Sequence, residues 1–461
     1  MKRFLLCAAL LFTAAHINAQ VTVYPGEKLS AVKDMNAVNN APIIGKKAQT
    51  RSNLETFKAA RIPYVRPHDA ALSSTYGGPH CIDISGIFSN FDADVNSPES
   101  YDFTITDKYI ESVYTGGAQM FFRLGQSIEN AAKKYNVYPP KDYRKWAQIC
   151  EHIILHYNEG WAEGYHYGIK YWEIWNEADL DKREKDWKYA PRNWGGSPQE
   201  FFKFYETAAK YLKKRFPTLM IGGPALCENF DWAEDFFIYM ESHKVPMDFF
   251  SWHCYTNTPE KVKEKANIIH GLMKKYGYGS AESILDEWNY LRDWKDNFTY
   301  TVEQVRGIKG GAFCAAVMAT AQQEGIDMLM YYDVRPSTSF CGLFNMVSLK
   351  PQPAYYAFYL WSRLKDYGNV IRSTVPEEEK DIYAVAAEDE NGNIAVMACR
   401  FNDDDNVSAP KVVSISGLRD GKYFAHITDD VRSFTEIPVE VKDGEAHVVM
   451  QPQSFVFIEI R

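Results

Sequence analysis

Eight short apolar runs, each followed by a helix-like segment, dominate the chain between about residue 30 and residue 364. Such alternation is typical of a parallel sheet with crossover helices, and eight strands are the number that closes a barrel. The predicted strands lie near Met35–Val38, Ile62–Arg66, Gln119–Leu124, Lys170–Trp175, Met220–Gly223, Phe249–His253, Ser283–Glu287 and Met328–Tyr332. We therefore expect an α/β fold, a (β/α)8 TIM barrel, over residues 30–364.

Three segments carry a Ser or Thr followed three residues later by Glu or Gln, which is the capping-box spacing at a helix start. They are Ser52 with Glu55, Ser197 with Glu200, and Thr301 with Gln304. In the second segment Pro198 takes the first helical position, where its missing N–H is harmless. We predict that a helix begins at each of the three.

The pattern changes beyond about Leu364. Short β-rich runs are separated there by Asn-Gly, Asp-Gly and acidic turns: DIYAVAAED, NIAVMACRF, KVVSISGL, YFAHITD and SFVFIEIR. Runs of this kind are typical of an antiparallel sandwich. We expect a C-terminal antiparallel β-sandwich over residues 365–461. The segment VTVYP at 21–25 suggests that an N-terminal strand within residues 20–29 joins it.

The first residues have the pattern of a secretory signal peptide. Lys2 and Arg3 precede an apolar stretch, and small residues lead to Ala19. We expect residues 1–19 to be removed before Gln20 and the protein to be secreted or periplasmic; an uncleaved interfacial helix is the alternative. The apolar stretch is too short to span a membrane and no later segment qualifies, so no membrane span is expected.

The charge and cysteine patterns exclude several classes of protein. The formal net charge is −9, and without Lys2 and Arg3 it becomes 49 − 60 = −11. There is no dense Lys/Arg stripe, so nucleic-acid binding is not expected. The cysteines are scattered, and C-x-x-C, HExxH and H-x-H motifs are absent from the sequence, so we expect no metal and no other cofactor. The pattern leaves the oligomeric state open.

Two glutamates stand at predicted strand ends, Glu177 in YWEIWNEAD and Glu287 in SILDEWNY, each beside a Trp and an Asn. Carboxylates at the C-terminal ends of two strands of one barrel meet in the same pocket. Glycoside hydrolysis needs such a pair, about 5–5.5 Å apart with retention of configuration and about 6.5–9.5 Å apart with inversion. We predict that Glu177 is the acid/base and Glu287 the nucleophile. For either residue alone, a surface or salt-bridged carboxylate is the alternative.

Polar residues at two further strand ends are candidate partners of this pair. Arg66 and His68 occur in VRPHD, where Arg66 is expected to lie beneath the nucleophile and keep it ionised, and His68 to reach sugar hydroxyls. His253 and Tyr255 alternate with Cys254, so they share one face, which we expect to be the substrate side. Tyr255 is placed to hydrogen-bond the nucleophile. The alternatives are a buried ion pair for Arg66, a loop histidine for His68 and core packing for Tyr255.

Aromatic side chains near the strand ends are candidates for stacking on sugar rings. On the eighth strand we take Tyr332 as the substrate-binding residue, although the register, which decides between it and Tyr331, is not fixed by the sequence. Trp288 is a second predicted substrate-binding residue, and Trp294 and Trp194 are further candidates on loops. Core packing is the alternative for each of the three tryptophans.

The W-N-E and D-E-W strand ends, in this order, resemble those of the (β/α)8 glycoside hydrolases of clan A. The segments SPESYDFTITDKYIESVYTGGAQMFFRLG and GLFNMVSLKPQPAYYAFYLWSRL are most similar to glycoside hydrolase family 39, which contains β-xylosidases and α-L-iduronidases. The resemblance covers about residues 30–365. It implies a retaining mechanism, with the acid/base on the fourth strand and the nucleophile on the seventh.

The resemblance also implies a role for Asn176, at the position that hydrogen-bonds the sugar 2-hydroxyl, and an aromatic residue of the eighth strand beneath the sugar ring. Two positions depart from the family pattern. Ala178 stands where Pro is frequent, and Asp286 stands where Thr is frequent, which puts a second carboxylate beside Glu287. These departures leave the chemistry intact and put the substrate in doubt.

The expected function is therefore a retaining glycosidase that cleaves oligo- or polysaccharides, without a cofactor, and favours xylosides or another neutral sugar. A non-catalytic carbohydrate-binding barrel and a transglycosylase are the alternatives from other classes. A uronide-specific glycosidase is a third, because a substrate carboxylate needs a cation such as an arginine. Arg192, Arg292 and Arg335 are the loop arginines in range of the strand ends.

Overall fold

The structure, a computed structural model, describes residues 19–45, 51–67, 82–126 and 133–460. Its strands, in chain order, are β1 (Ala19–Ala31), β2 (Asp34–Asn39), β3 (Tyr64–Arg66), β4 (Gln119–Leu124), β5 (Tyr171–Ile174), β6 (Met220–Leu226), β7 (Phe249–Thr256), β8 (Glu282–Tyr290), β9 (Met328–Tyr331), β10 (Asn369–Thr374), β11 (Ile382–Glu388), β12 (Ile394–Arg400), β13 (Lys411–Ser416), β14 (Gly421–Thr428), β15 (Thr435–Val441), β16 (Glu445–Met450) and β17 (Ser454–Ile460). Its α-helices are α1 (Leu54–Ala59), α2 (Ile84–Ile87), α3 (Thr104–Thr115), α4 (Tyr143–Glu159), α5 (Glu184–Tyr189), α6 (Pro198–Arg215), α7 (Phe230–Ser242), α8 (Pro259–Lys275), α9 (Phe298–Val305), α10 (Ile308–Gln323) and α11 (Pro353–Leu364).

Strands β2 to β9 form a closed parallel barrel in chain order, in which β9 pairs with β2. The eight predicted strands and the barrel are thereby confirmed. The barrel strands are buried on both faces, which is why they appear in the sequence as continuous apolar runs. Seven inward-facing side chains fill the end of the barrel away from the strands' carboxyl ends: Ala37, Phe121, Tyr171, Phe249, Ile284, Met328 and Met330. The interior above this plug is polar and holds the candidate site.

The remaining strands form one nine-stranded sheet in the order β15-β14-β17-β12-β11-β10-β1-β13-β16. Neighbours are antiparallel except β1 and β13, which are parallel. On β12, Met397 and Cys399 face the barrel core, whereas Val396 and Ala398 face a second core within the sheet domain. The expectation of a C-terminal, mostly antiparallel β-structure is confirmed. The sequence reading missed β10, β15 and β16, of which β15 and β16 are half-exposed strands with many polar residues.

One helix holds the barrel and the sheet together. Almost every residue of α10 is buried, because it packs on barrel elements on one side and on β11, β12 and β17 on the other. Its sequence is rich in Ala and Gly, and Gly311 lies so close to α11 that an added Cβ would be 2.9 Å from the Pro353 backbone. Small residues thus let α10 fit between two layers.

Only one of the three predicted capping boxes is present. Ser197 and Glu200 form both reciprocal hydrogen bonds at the start of α6, as predicted. At Ser52 a helix does begin nearby, at Leu54, but the capping box is absent, because Asn53 precedes α1 and no side-chain cap is formed there. The prediction at Thr301 is wrong, because α9 already begins at Phe298. None of the helices in the described residues is both long enough and apolar enough to cross a membrane.

Candidate active site

Glu177 and Glu287 lie at the carboxyl ends of two barrel strands. Glu177 comes shortly after β5, the fourth barrel strand, and Glu287 lies in β8, the seventh. The backbone of Glu177 is left-handed, with φ of 50°, and its N–H donates to the carbonyl oxygen of Ala225 at 3.0 Å. One side-chain oxygen from each glutamate and one ring nitrogen of His253 all lie within 4.8 Å of one another. The two carboxyl groups therefore share one small pocket.

One extra residue in β8 aims two consecutive carboxyl groups into the barrel. Between β7 and β8, Trp252 pairs with Leu285 and His253 pairs with Glu287. Between β8 and β9, Leu285 pairs with Leu329 and Trp288 pairs with Tyr331. In both ladders β8 advances one residue more than its neighbour, which is the pattern of a β-bulge. Strict alternation would put Asp286 and Glu287 on opposite faces of the strand. Because of the bulge, both approach the guanidinium of Arg66.

Arg66, at the end of β3, joins these groups from below. Its Nη1 donates to Glu287 Oε1 at 2.7 Å and its Nε to Glu173 Oε2 at 2.7 Å. The same Nε lies 3.0 Å from Asp286 Oδ2, and Nη2 donates to Asn176 Oδ1 at 2.7 Å. The side chains of Arg66, Glu173 and Asp286 are fully buried. The Arg66 guanidinium thus lies beneath Glu287, as expected from the sequence, and forms an ion pair with its carboxyl group.

Glu177 is held by neutral partners. His253 Nδ1 lies 2.8 Å from Glu177 Oε1, and Asn193 Nδ2 donates to Glu177 Oε2 at 3.2 Å. Asn193 is fixed in turn by Asp181, whose carboxylate accepts the backbone N–H groups of residues 192–194. The loop that follows β5 therefore folds back and supplies a hydrogen-bond donor to the candidate acid.

Asp181 and its neighbour Asp179 were not predicted from the sequence. Asp179 accepts the backbone N–H groups of residues 227–229, so it ties the same loop to the end of β6. Both aspartates are buried. The only signal for them is the acidic run EADLD, which begins at Glu177. Glu173, inside β5, was missed as well, because nothing in the sequence distinguishes an inward carboxyl on a barrel strand.

The contacts distinguish the charge states of the two glutamates. Burial raises the pKa of both Glu177 and Glu287 above the ordinary value for glutamate, and burial lowers the pKa of His253 to about 4, so its ring is neutral near pH 7. Glu287 accepts hydrogen bonds from the cation Arg66 and from Tyr255, whose hydroxyl is 2.9 Å away. The arrangement therefore favours a proton on Glu177 and a charge on Glu287.

Aromatic rings form one wall of the site beside Glu287. Tyr255 contacts Trp294 edge-on at a centroid distance of 5.4 Å and Tyr332 at 6.2 Å, and Phe340 completes the group. Trp294 is 58% exposed, which leaves ring surface open to a ligand. Of the two candidate tyrosines on the eighth strand, Tyr332 faces this wall, whereas Tyr331 packs outward against α11.

Several predicted substrate contacts are corrected by the structure. Trp288 is fully buried and packs outward against Phe358, because the bulge points Glu287 inward and therefore Trp288 outward. Trp194 is buried too and packs on Trp175, so neither ring can stack on a sugar. His253 is 1% exposed and lies between the two glutamates, so it holds them rather than presenting a surface to substrate. His68 lies outside the described residues.

The side chains of this pocket are better placed to share a proton and to pair with the Arg66 guanidinium than to bind a metal ion. Glu177, His253 and Glu287 are close enough to face one cation. Arg66, 2.7 Å from Glu287, already places a positive charge there, and it would repel a second one. The same contact explains how a carboxylate stays ionised in a buried pocket.

Comparison with known proteins agrees with this fold. The sequence profile of Glycosyl hydrolases family 39 matches residues 79–409. A "Beta-xylosidase" of Geobacillus stearothermophilus is 27% identical over 327 residues, 61% of this chain and 60% of the relative. A "Beta-xylosidase" of Caldicellulosiruptor saccharolyticus is 25% identical over 330 residues, 65% of this chain and 64% of the relative. The matches therefore span less than two thirds of the length of these curated relatives.

Among solved structures, a glucosidase from Croceicoccus marinus superposes with a TM-score of 0.71 at 19% identity, covering 96% of this chain and 98% of that one. At this identity the likeness shows the shared two-part fold of barrel and appended sheet. The profile match extends over more than half of the chain and includes both glutamate-bearing strand ends. The chain belongs to glycosyl hydrolase family 39.

Proposed function

We propose that the protein is a retaining glycosidase in which Glu177 is the general acid/base and Glu287 the nucleophile. The observation that carries the proposal is the close approach of the two carboxyl groups, within 4.8 Å at their nearest atoms. This spacing suits direct attack by a carboxylate, because an inverting enzyme needs about 6.5–9.5 Å to hold a water between the groups. The different partners of the two groups support the assignment of roles.

In the first step Glu287 attacks the anomeric carbon and the bond to the leaving oxygen breaks while Glu177 protonates that oxygen. Arg66 and Tyr255 hold one orientation of the Glu287 carboxylate, with one donor on each oxygen. In the second step Glu177, now ionised, takes a proton from a water molecule as that water attacks the anomeric carbon, and the bond from this carbon to Glu287 breaks and releases the carboxylate. His253 and Asn193 supply hydrogen bonds to Glu177 during this change of charge.

Asn176 is the proposed ligand of the sugar 2-hydroxyl. Its Oδ1 accepts from Arg66, which fixes the amide so that Nδ2 is the group left to donate. Nδ2 is buried and has no hydrogen-bond partner among the described residues. A buried donor without a partner is costly, and a substrate hydroxyl would satisfy it.

A neutral sugar, with a β-xyloside first, is the proposed substrate class. The two curated relatives carry the name "Beta-xylosidase". Of the three arginines considered for a uronide, Arg292 pairs with Asp403 and Arg335 with Asp333. Arg192 is exposed and is the one that a uronide would have to use.

We also propose export of the mature protein to the periplasm or medium. The leader pattern in residues 1–19 supports this. Mass spectrometry of the protein from the producing cell, with an N-terminus at Gln20, is the expected result; an intact leader on soluble protein would contradict it.

The roles of the glutamates are tested with Glu177→Ala and Glu287→Ala on aryl β-xylosides. Glu287→Ala should lose turnover of every substrate. Glu177→Ala should lose about 10²–10⁴-fold on poor leaving groups but keep the first step on an activated aryl xyloside, so that the glycosyl-enzyme accumulates. Azide should then restore turnover of Glu177→Ala and give a glycosyl azide of retained configuration.

Glu282→Ala is the matched control, since Glu282 begins the same strand as Glu287 at the opposite end of the barrel and bonds Tyr171. It should keep activity on both kinds of substrate. An inverted azide product from Glu177→Ala, or azide rescue of Glu287→Ala alone, would mean that the roles are exchanged or that the mechanism is not retaining. A wild-type protein inactive on xylosides but active on aryl glucuronides would move the substrate to uronides.

A further inference from the structure

Two buried carboxyl groups behind the nucleophile take no part in the steps above. Glu173 on β5 and Asp286 on β8 have fully buried side chains on either side of the Arg66 guanidinium. With Glu287 they make three carboxyl groups around one cation. If all three were ionised, the cluster would carry two uncompensated negative charges away from water, which proteins avoid by protonating a group.

The hydrogen bonds indicate which group holds the proton. Arg66 donates to Glu173 and to Glu287. Neither oxygen of Asp286 accepts a hydrogen bond from any described residue. Burial raises the pKa of Asp286 well above its ordinary value; Arg66 opposes this effect, and the charges of Glu173 and Glu287 add to it. For Glu173, the effect of burial is outweighed, chiefly by the charge of Arg66, so its pKa is lowered.

His253 gives an independent reason for the same assignment. Its Nδ1 faces Glu177 at 2.8 Å and the ionised Glu287 at 3.6 Å, and the negative charge of Glu287 favours the neutral tautomer that carries its proton on Nδ1. Its Nε2 then has only a lone pair, is buried without a hydrogen-bond partner among the described residues, and lies 3.5 Å from Asp286 Oδ1. A carboxylate there would oppose lone pair to lone pair, whereas a carboxylic acid would offer an O–H.

We propose that Asp286 is a neutral carboxylic acid in the working enzyme and a positioning residue for both catalytic glutamates. Its single O–H can donate to either of two buried atoms that lack a donor among the described residues, Glu173 Oε1 or His253 Nε2. With Asp286 neutral, Arg66 compensates two negative charges, those of Glu173 and Glu287, instead of three, and this keeps Glu287 ionised. The same proton secures the Nδ1–H tautomer of His253 that faces Glu177. The catalytic part of this inference rests on the proposed glycosidase function.

The bulge in β8 is what makes the arrangement possible. Without the extra residue, Asp286 would lie on the opposite face from Glu287. The ionisable groups that pair with Asp286 or act most strongly on its charge lie within the barrel: Arg66 from β3, Glu173 from β5, His253 from β7 and Glu287 from β8. The protonation of Asp286 is therefore set by the inner layer of the barrel and not by the surface.

Infrared spectroscopy of the full chain tests the charge state without reference to catalysis. Besides the carbonyl band of protonated Glu177, the wild type at neutral pH should show the band of a second carboxylic acid, which disappears in Asp286→Asn and persists in Glu177→Gln. An unchanged spectrum in this region between wild type and Asp286→Asn would overturn the proposal. Because this measurement needs no turnover, a protein that fails every glycosidase assay can still show the band, so the two proposals fail separately.

Two near-isosteric replacements test the positioning role. Asp286→Thr keeps an O–H donor, and Asp286→Val has the same shape without one. If Asp286 acts through its O–H, kcat/KM should be about tenfold or more higher in Asp286→Thr than in Asp286→Val, a difference that one hydrogen bond to a charged group can supply. The acid limb of the kcat/KM pH profile of Asp286→Thr should stay at its wild-type position.

A purely structural role would lower both variants equally, and equal losses with matching pH profiles would overturn the proposal. If Asp286 were ionised in the wild type, replacing it by Thr would remove a negative charge beside Glu287 and move the acid limb to lower pH. That shift would equally overturn it. The Thr and Val variants also replace Asp286→Asn in the infrared comparison if the asparagine variant does not fold.

Discussion

Removal of the Tyr255 hydroxyl should raise the pKa of the nucleophile by an amount that follows from one contact. The hydroxyl donates to Glu287 Oε2 at 2.9 Å, and burial raises the pKa of Tyr255 well above that of a free tyrosine, so it remains a donor throughout the working pH range. A hydrogen bond to a charged group is worth about 1.5–3 kcal/mol. One pKa unit corresponds to about 1.4 kcal/mol, so Tyr255→Phe should raise the pKa of Glu287 by about 1–2 units.

The sign follows from which form the hydroxyl stabilises. It donates to the ionised form of Glu287, so its loss favours the protonated form and the pKa rises. The acid limb of kcat/KM reports the group that must be ionised in the free enzyme. In Tyr255→Phe that limb should therefore move to higher pH by about 1–2 units. The assay is kcat/KM against pH with an activated aryl xyloside, for which protonation of the leaving group is not limiting.

Tyr331→Phe is the matched control, because Tyr331 is a buried tyrosine on β9 whose hydroxyl donates to the carbonyl of Phe340 and not to a carboxylate. Its acid limb should coincide with that of the wild type. If the acid limb of Tyr255→Phe does not move, Tyr255 does not govern the charge of Glu287. A shift to lower pH would refute the reasoning altogether.

Two further perturbations test the loop that holds Glu177. Arg192 lowers the pKa of Glu177 through its charge, so Arg192→Gln should move the basic limb of the kcat/KM pH profile to higher pH. Because Arg192 is exposed, the shift should become smaller as salt is added. A basic limb that stays at its wild-type position at low salt would contradict this. Asp181→Asn replaces a carboxylate that accepts the N–H groups of residues 192–194, so unfolding by denaturant should show a loss of about 1–3 kcal/mol together with a lower kcat. A loss of stability with unchanged kcat would mean that the loop does not position Glu177 through Asn193.

The parts of the fold that local sequence encodes were predictable. The barrel strands are buried on both faces, so each leaves an apolar run in the sequence, and β4 was placed at the residues where it occurs. Glu177 and Glu287 were paired because the ends of parallel strands in one barrel converge. The half-exposed strands β15 and β16 leave no such run, and they were missed.

What could not be predicted depends on contacts between distant residues. The bulge that turns Asp286 inward arises from the register of β8 against β7 and β9, and nothing within SILDEWNY marks it. The same bulge decides that Trp288 packs in the core. His253 was expected to face the sugar, and the structure places it between the glutamates, 2.8 Å from Glu177 and 3.6 Å from Glu287.

The position of β1 has a consequence for how the chain can be made and handled. β1 lies between β10 and β13, and in the sheet order it is the strand that joins β13 and β16 to the others. The strands that pair with β1, which are β10 and β13, begin at residues 369 and 411. During synthesis β1 therefore stays unpaired until most of the polypeptide has been made. A shortened protein that starts after Ala31 would carry the whole barrel and still have its appended sheet divided into two pieces with open edges, a ready cause of aggregation.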